Sequence, residues 1–197
     1  MAVMAYLICK FLHILSFALL CMTILDALLR LNERARHQPV FARDIDRYTE
    51  QAARRSAVRA IMYLTGSLLT GILLVSFGAG WSRALHDPVL GLKVLLWVAL
   101  AGVLHAEYLG AGRQSRMLVE EVGAGDLASD GFLRRLAGLR ARRRTLLSVA
   151  LFLTMTLLVL GMQVHAAMPA AVTAVLLVLA GLFSIRARSS TMSRGWF

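Results

Sequence analysis

Long apolar runs alternate along the chain with arginine-rich stretches, and each run has the length of a membrane-crossing helix. A bilayer core of ~30 Å needs about 20 residues at ~1.5 Å rise each. Five runs qualify, at about residues 3–29, 58–80, 89–109, 146–164 and 169–185. The pattern predicts an all-α, polytopic membrane helix bundle with five transmembrane helices, forming one domain over residues 1–197. In the first run Cys9, His13, Ser16, Leu20 and Thr23 recur at helical spacing and share a face turned into the bundle, while Asp26 stands one turn before Arg30. Lys10 and His13 interrupt this run and no A-x-A pattern follows, so it reads as a helix and not as a signal peptide. In the second run Ser67 and Gly71 form a small-xxx-small pair that lets another helix approach.

The connections carry their own signals. Pro39 breaks the helix leaving the first span, and a helix resumes near Ala42, where Glu50 and Arg54 stand at i, i+4 on what reads as a solvated face. Trp81 is placed as an interfacial anchor in the short link from Trp81 to Pro88. Gly123 to Gly131 is a flexible break, after which Ser129 or Asp130 caps a helix running directly into the fourth span. Pro169 suits the start of the fifth.

Composition agrees with the pattern, since 58% hydrophobic residues and a mean hydropathy of +0.68 are too apolar for a soluble chain of this length. A net charge of +11 would suggest nucleic acid in a soluble protein. Here the basic residues lie in the connections, so membrane orientation accounts for them and no nucleic-acid partner is expected. Residues 31–57 hold six arginines and residues 109–145 eight, whereas residues 81–88 hold only Arg83 and residues 165–169 none. Basic loops stay in the cytoplasm, which predicts cytoplasmic loops at 31–57 and 110–145, an outside N-terminus and a cytoplasmic C-terminus, in a bacterial cytoplasmic (inner) membrane. Lys10 is the dissenting charge. Arg134, Arg135, Arg140, Arg142, Arg143 and Arg144 are expected at headgroup level, holding anionic membrane lipid. Cys9 and Cys21 lie ~18 Å apart along one helix and cannot bond to each other.

The third run, VLGLKVLLWVALAGVLHAEY from Val89 to Tyr108, contains Lys93, His105 and Glu107. Lys93, Trp97, Ala101, His105 and Tyr108 fall within a stripe of roughly 120°. Ionisable groups at membrane depth are costly and mark a candidate functional site. Counting from the outer ends of their spans, His13 lies ~15 Å deep, Lys93 ~6 Å and His105 ~24 Å, so either of the latter can come level with His13. Neutral imidazoles on facing helices are a common way for a bundle to hold haem iron. Cys9 and His13 at i, i+4 also offer two of the ligands a metal would need.

The first-run K-x-x-H of Lys10 to His13 in KFLHILSF, RAIMYLTGSLLTGILL from Arg59 to Leu74, and LKVLLWVALAGVLH from Leu92 to His105 resemble the HemJ-type protoporphyrinogen oxidases and the broader CopD-like membrane superfamily. The resemblance covers roughly residues 6–120. It implies b-type haem and oxidoreductase activity tied to His13 and Lys93, with His105 matching the histidine that follows the lysine. The Asn-Glu-x-Pro pattern that precedes the last helix in that group has no counterpart here, and the arginine-rich connection and fifth span extend beyond it.

Three functions from different classes follow. The first is a haem b redox protein of protoporphyrinogen oxidase-like or quinone-linked type, with Lys93 catalytic, His13 and His105 as metal ligands, and Trp97 and Tyr108 lining the cofactor site. The second is a CopD-like copper-handling protein using Cys9, Met22 and Met62. The third is a non-catalytic subunit of a homo-oligomer or larger membrane complex. No phosphate-binding P-loop, H-E-x-x-H, C-x-x-C, C-x-x-C-H or G-x-S-x-G occurs, which leaves ATPase, hydrolase and covalent haem readings without support. His37, His86 and His165 read as ordinary interfacial residues.

Overall fold

A computed structural model describes residues 2–37, 41–78, 80–121, 129–163 and 168–190. These residues form α1 (Ala2–His37), α2 (Arg43–Phe77), α3 (Trp81–His86), α4 (Pro88–His105), a π-helical turn (Ala106–Ala111), α5 (Gly112–Glu121), α6 (Asp130–Gln163) and α7 (Ala170–Ser189). Five segments are long and apolar enough to cross a membrane, and α4, the π-turn and α5 make one of them. The all-α membrane bundle expected from the pattern is the fold observed. The apolar runs, however, understate the helices: α1, α2, α4–α5 and α6 all continue past their spans at the arginine-rich end. Pro39, most of the Gly123 to Gly131 break, and His165 lie outside the described residues.

Local chemistry sets the helix starts. Ala42 is extended ahead of α2, and the Asp46 carboxylate reaches back to accept from its N–H at 2.9 Å. Asp87 caps α4 by accepting from Val89 N–H at 2.8 Å, with Pro88 following where a missing N–H costs little. Ser129 caps α6 by accepting from Phe132 N–H at 3.3 Å. Gly80, at φ +76°, turns the chain into α3, a conformation that favours glycine. The link from Trp81 to Pro88 is thus largely a short helix.

Both α2 and α6 contact α1, and both contact α4, so α1 and α4 face each other across the bundle while α7 packs on α6 and α1. The centre is filled by Leu20, Ile24, Leu28, Leu100, Leu104 and Leu151, all buried. Val94, Leu95 and Val98 on the far side of α4 are exposed, as a lipid-facing surface requires. Polar hooks fasten α7: Asn32 Nδ2 donates to the carbonyls of Ala187 and Ser190, and Ser148 Oγ to that of Ser184, each at 2.8 Å. A small second core of Leu118, Val119 and Leu136 ties α5 to the start of α6 beyond the spans.

Candidate functional site

Two polar groupings occupy opposite halves of the bundle. In the half away from the arginine-rich end, α1 and α2 run antiparallel with α2 glycines against α1 side chains. A Cβ placed on Gly66 would lie 3.3 Å from Ser16 Oγ, and one on Gly71 3.3 Å from His13 Cε1. Glycine at these positions lets the helices close and brings His13 Nδ1 to 3.0 Å from Thr70 Oγ1. The single Thr70 hydroxyl proton is directed at the Gly66 carbonyl at 2.7 Å, with the Ser67 carbonyl at 3.2 Å. With its proton there, Thr70 accepts from His13 Nδ1–H. Phe17 meets the ring edge-on, with centroids 5.1 Å apart.

One turn away on α2, buried Ser67 donates to the Leu64 carbonyl at 2.7 Å and accepts from Trp97 Nε1–H at 3.2 Å. Lys93 lies one turn from Trp97, half-buried, and its Nζ would be 3.6 Å from a Cβ on Gly161. No carboxylate stands within 4 Å of it among the described residues. His13, Ser67, Thr70, Trp97 and Lys93 thus line the inner side of this half. The stripe predicted on the third span does not hold together. Leu100, Leu104 and Glu107, which are buried, centre the inward face near Lys93, whereas His105 sits about 120° from Lys93 and is exposed. Because α4 lies across the bundle from α1 with leucines between, His105 does not join His13. Tyr108, beyond the start of the π-turn, lies under the Arg116 guanidinium at 5.4 Å and belongs to the other end of the bundle.

That other end holds the second grouping, a buried ion network. Asp46, fully buried, pairs with Arg34 at 2.6 Å and Arg140 at 2.7 Å. Glu50 pairs with Arg143 at 2.6 Å, lies 3.6 Å from Arg140 and accepts from Ser115 at 2.7 Å. Glu107 pairs with Arg143 at 2.8 Å. Among the described residues three carboxylates face three guanidiniums here, and the charges of these six side chains cancel. Burial pushes Asp46 up, but hydrogen bonds from Arg34, Arg140 and the Ala42 N–H outweigh it and hold the carboxyl below its ordinary value. Burial alone would lower Arg143, yet Glu50 and Glu107 raise it, so it stays charged.

The π-turn serves this network. Gly112 N–H bonds to the Glu107 carbonyl, and a Cβ on Gly112 would come within 2.8 Å of that oxygen. Glycine thus permits the wider turn that carries Glu107 and Ser115 inward. The solvated face expected around Glu50 is corrected accordingly: Glu50 binds Arg143 and Ser115 instead of Arg54. Of the arginines expected at the headgroups, Arg140 and Arg143 turn inward, while Arg134, Arg135 and Arg142 are exposed. A signal for this was present. Asp46, Glu50 and Ala53 continue the α2 stripe of Ala60, Leu64 and Ser67, and Arg143 continues the α6 stripe of Leu147, Leu151 and Thr154.

Among the described residues no group of three or more His, Cys, Asp or Glu side chains stands close enough to hold a metal ion. Haem b, the group implied by the family resemblance, fits these residues in one respect: His13 offers an imidazole whose Nδ1 is held against Thr70. A His13 and His105 ligand pair does not fit. A cavity of about 10 Å³ between Thr23, Ser56, Glu107 and Arg143, and a groove of about 900 Å³ beside α2, both lie away from His13. Comparison with family models, with curated proteins and with solved structures gives no match for this chain.

Proposed function

We propose that the chain is a haem b-binding integral membrane redox protein of the oxidoreductase class, in which His13 would hold the haem and Lys93 would meet a porphyrin carboxylate. The single observation that supports this most is the contact of His13 Nδ1 with Thr70 Oγ1 at 3.0 Å, because a ligating histidine is held by a hydrogen bond at its other ring nitrogen. Haem, when bound, supplies one-electron chemistry. The chain's own contribution is to bind and orient: Thr70 holds His13, Ser67 holds Trp97, and Lys93 offers charge at a depth where few anions are otherwise satisfied. His13 is in contact with Gly71 and Phe17, so holding a macrocycle would require the side chains of this half to part. With arginine-rich loops in the cytoplasm, this half lies toward the outer face, where a porphyrinogen or quinone can arrive laterally from the bilayer.

A second reading, a non-catalytic membrane subunit, draws on the charge-balanced network, which specifies packing and needs no ligand. An oxidised and a reduced absorption spectrum of the purified protein separates the two. An intense porphyrin band lost in His13→Ala and kept in His105→Ala is expected. A colourless protein overturns the haem reading, and stoichiometric copper in its place points to the CopD-like alternative.

A further inference from the structure

Beside the span end of α2 lies a groove of about 900 Å³, bordered by Arg30 of α1 and by Tyr48, Gln51, Arg54, Arg55 and Arg59 of α2. Arg30 is held by Asp26 through two hydrogen bonds of 2.9 and 3.0 Å, which neutralises it. The other three are different. Among the described residues no carboxylate lies within 4 Å of Arg54, Arg55 or Arg59, although Glu50 is one turn away, because Glu50 is committed to Arg143 and Ser115. Arg59 is steadied by donating to buried Ser56 at 3.2 Å. Three guanidiniums without a carboxylate partner among the described residues therefore share one concave surface, whereas Arg140 and Arg143 on α6 are already paired with buried carboxylates.

The groove also has an apolar side. Val58 lines it, and Met62, one turn further into the α2 apolar run, is 64% exposed. Charge above and exposed hydrocarbon below match one molecule, a phospholipid with an anionic phosphate headgroup and acyl chains lying along α2. Guanidinium forks suit phosphate oxygens, and the phenol of Tyr48 suits the headgroup level. The geometry points to the α1–α2 groove as a binding site for a single acidic phospholipid, held by Arg54, Arg55 and Arg59. This site is independent of the haem reading.

Native mass spectrometry of the detergent-purified full chain, titrated with phosphatidylglycerol, phosphatidylcholine or inorganic phosphate, tests the assignment. One retained phosphatidylglycerol is expected, with phosphatidylcholine held far more weakly. In Arg54→Gln/Arg55→Gln/Arg59→Gln the affinity should fall on the order of a hundredfold, from about a fivefold factor for each basic residue at a charged headgroup. The charge-matched control Arg134→Gln/Arg135→Gln/Arg142→Gln should leave it within about twofold. Should the triple variant fail to fold, Arg55→Gln alone is expected to lose about fivefold. Equal losses in the groove variant and the control, no preference for the acidic lipid, or displacement of the lipid by inorganic phosphate would each overturn the proposal.

Discussion

Replacing Arg143 by leucine removes the cation that two buried carboxylates share. Arg143 is 1% exposed and Glu107 4%. In Arg143→Leu, Glu50 keeps Arg140 at 3.6 Å and the Ser115 hydroxyl at 2.7 Å. Glu107 keeps no cation within 4 Å among the described residues, since its ion pair is with Arg143. Stranding one partner of a buried pair costs about 3–5 kcal/mol. For a chain of this length each kcal/mol shifts the melting temperature by about 2–4 °C, so a fall of roughly 6–20 °C is expected.

The companion variant Arg143→Leu/Glu107→Leu separates attraction from desolvation. Removing both members replaces a costly buried pair with hydrocarbon, which is often neutral or stabilising by about 1–4 kcal/mol relative to keeping it. The double variant should therefore melt well above Arg143→Leu. Arg30→Ala breaks a pair whose side chains are 49% and 38% exposed. Its cost should stay below about 1 kcal/mol. Thermal unfolding in one detergent, followed by far-UV circular dichroism, measures all three. If Arg143→Leu behaves like Arg30→Ala, or if the double variant is no better than the single one, the network is not a buried, mutually dependent unit.

Three further outcomes follow. Because the Asp46 carboxyl is held below its ordinary value when folded, its contribution is present above that value and lost as pH falls through the depressed one. The melting temperature should thus fall more steeply with acid for the wild type than for Asp46→Asn, and equal slopes against pH would refute the role. Gly112→Ala puts a Cβ within 2.8 Å of the Glu107 carbonyl oxygen. It should cost about 1–3 kcal/mol, whereas Gly102→Ala, which meets nothing within 4 Å, should be neutral or mildly stabilising, and equal effects in thermal melts would contradict the geometry. If haem is held by His13, Thr70→Val should weaken its retention about 10–100-fold while Thr70→Ser preserves it, as read by the porphyrin band during dilution. Equal retention in the two variants would remove Thr70 from the site.

The spans were legible because an apolar run of bilayer length has few other physical solutions. The inward turn of the arginine-rich end was harder to read. Glu50 and Arg54 satisfy the local i, i+4 rule, and no local rule says that Glu50 prefers Arg143 on α6 at 2.6 Å. That preference depends on the α2 and α6 stripes meeting, a tertiary event. The π-turn was invisible for a related reason: a glycine such as Gly112 in a polar stretch ordinarily signals a loop, and its part in widening a continuous helix emerges only with Glu107 already facing Arg143. His105 stands at the exposed rim of the stripe on the third span. A face of roughly 120° includes positions at its rim, and packing chose the centre occupied by Leu100 and Leu104.

The two halves of the bundle have different physical characters, and this bears on where a ligand can act. At the arginine-rich end the interior combines leucines of near-zero exposure with buried carboxylates each paired to a guanidinium. Opening that end would expose hydrocarbon and strand ions at once. In the other half His13, Thr70, Trp97 and Lys93 are only half-buried, and Lys93 is unmatched by a carboxylate among the described residues. Sites that must admit a ligand come from the less stable part of a fold. On the haem reading the ion network would be the anchor against which the His13 half parts, so the stability that Arg143 confers and the admission of a ligand at His13 would be two consequences of one uneven distribution of packing.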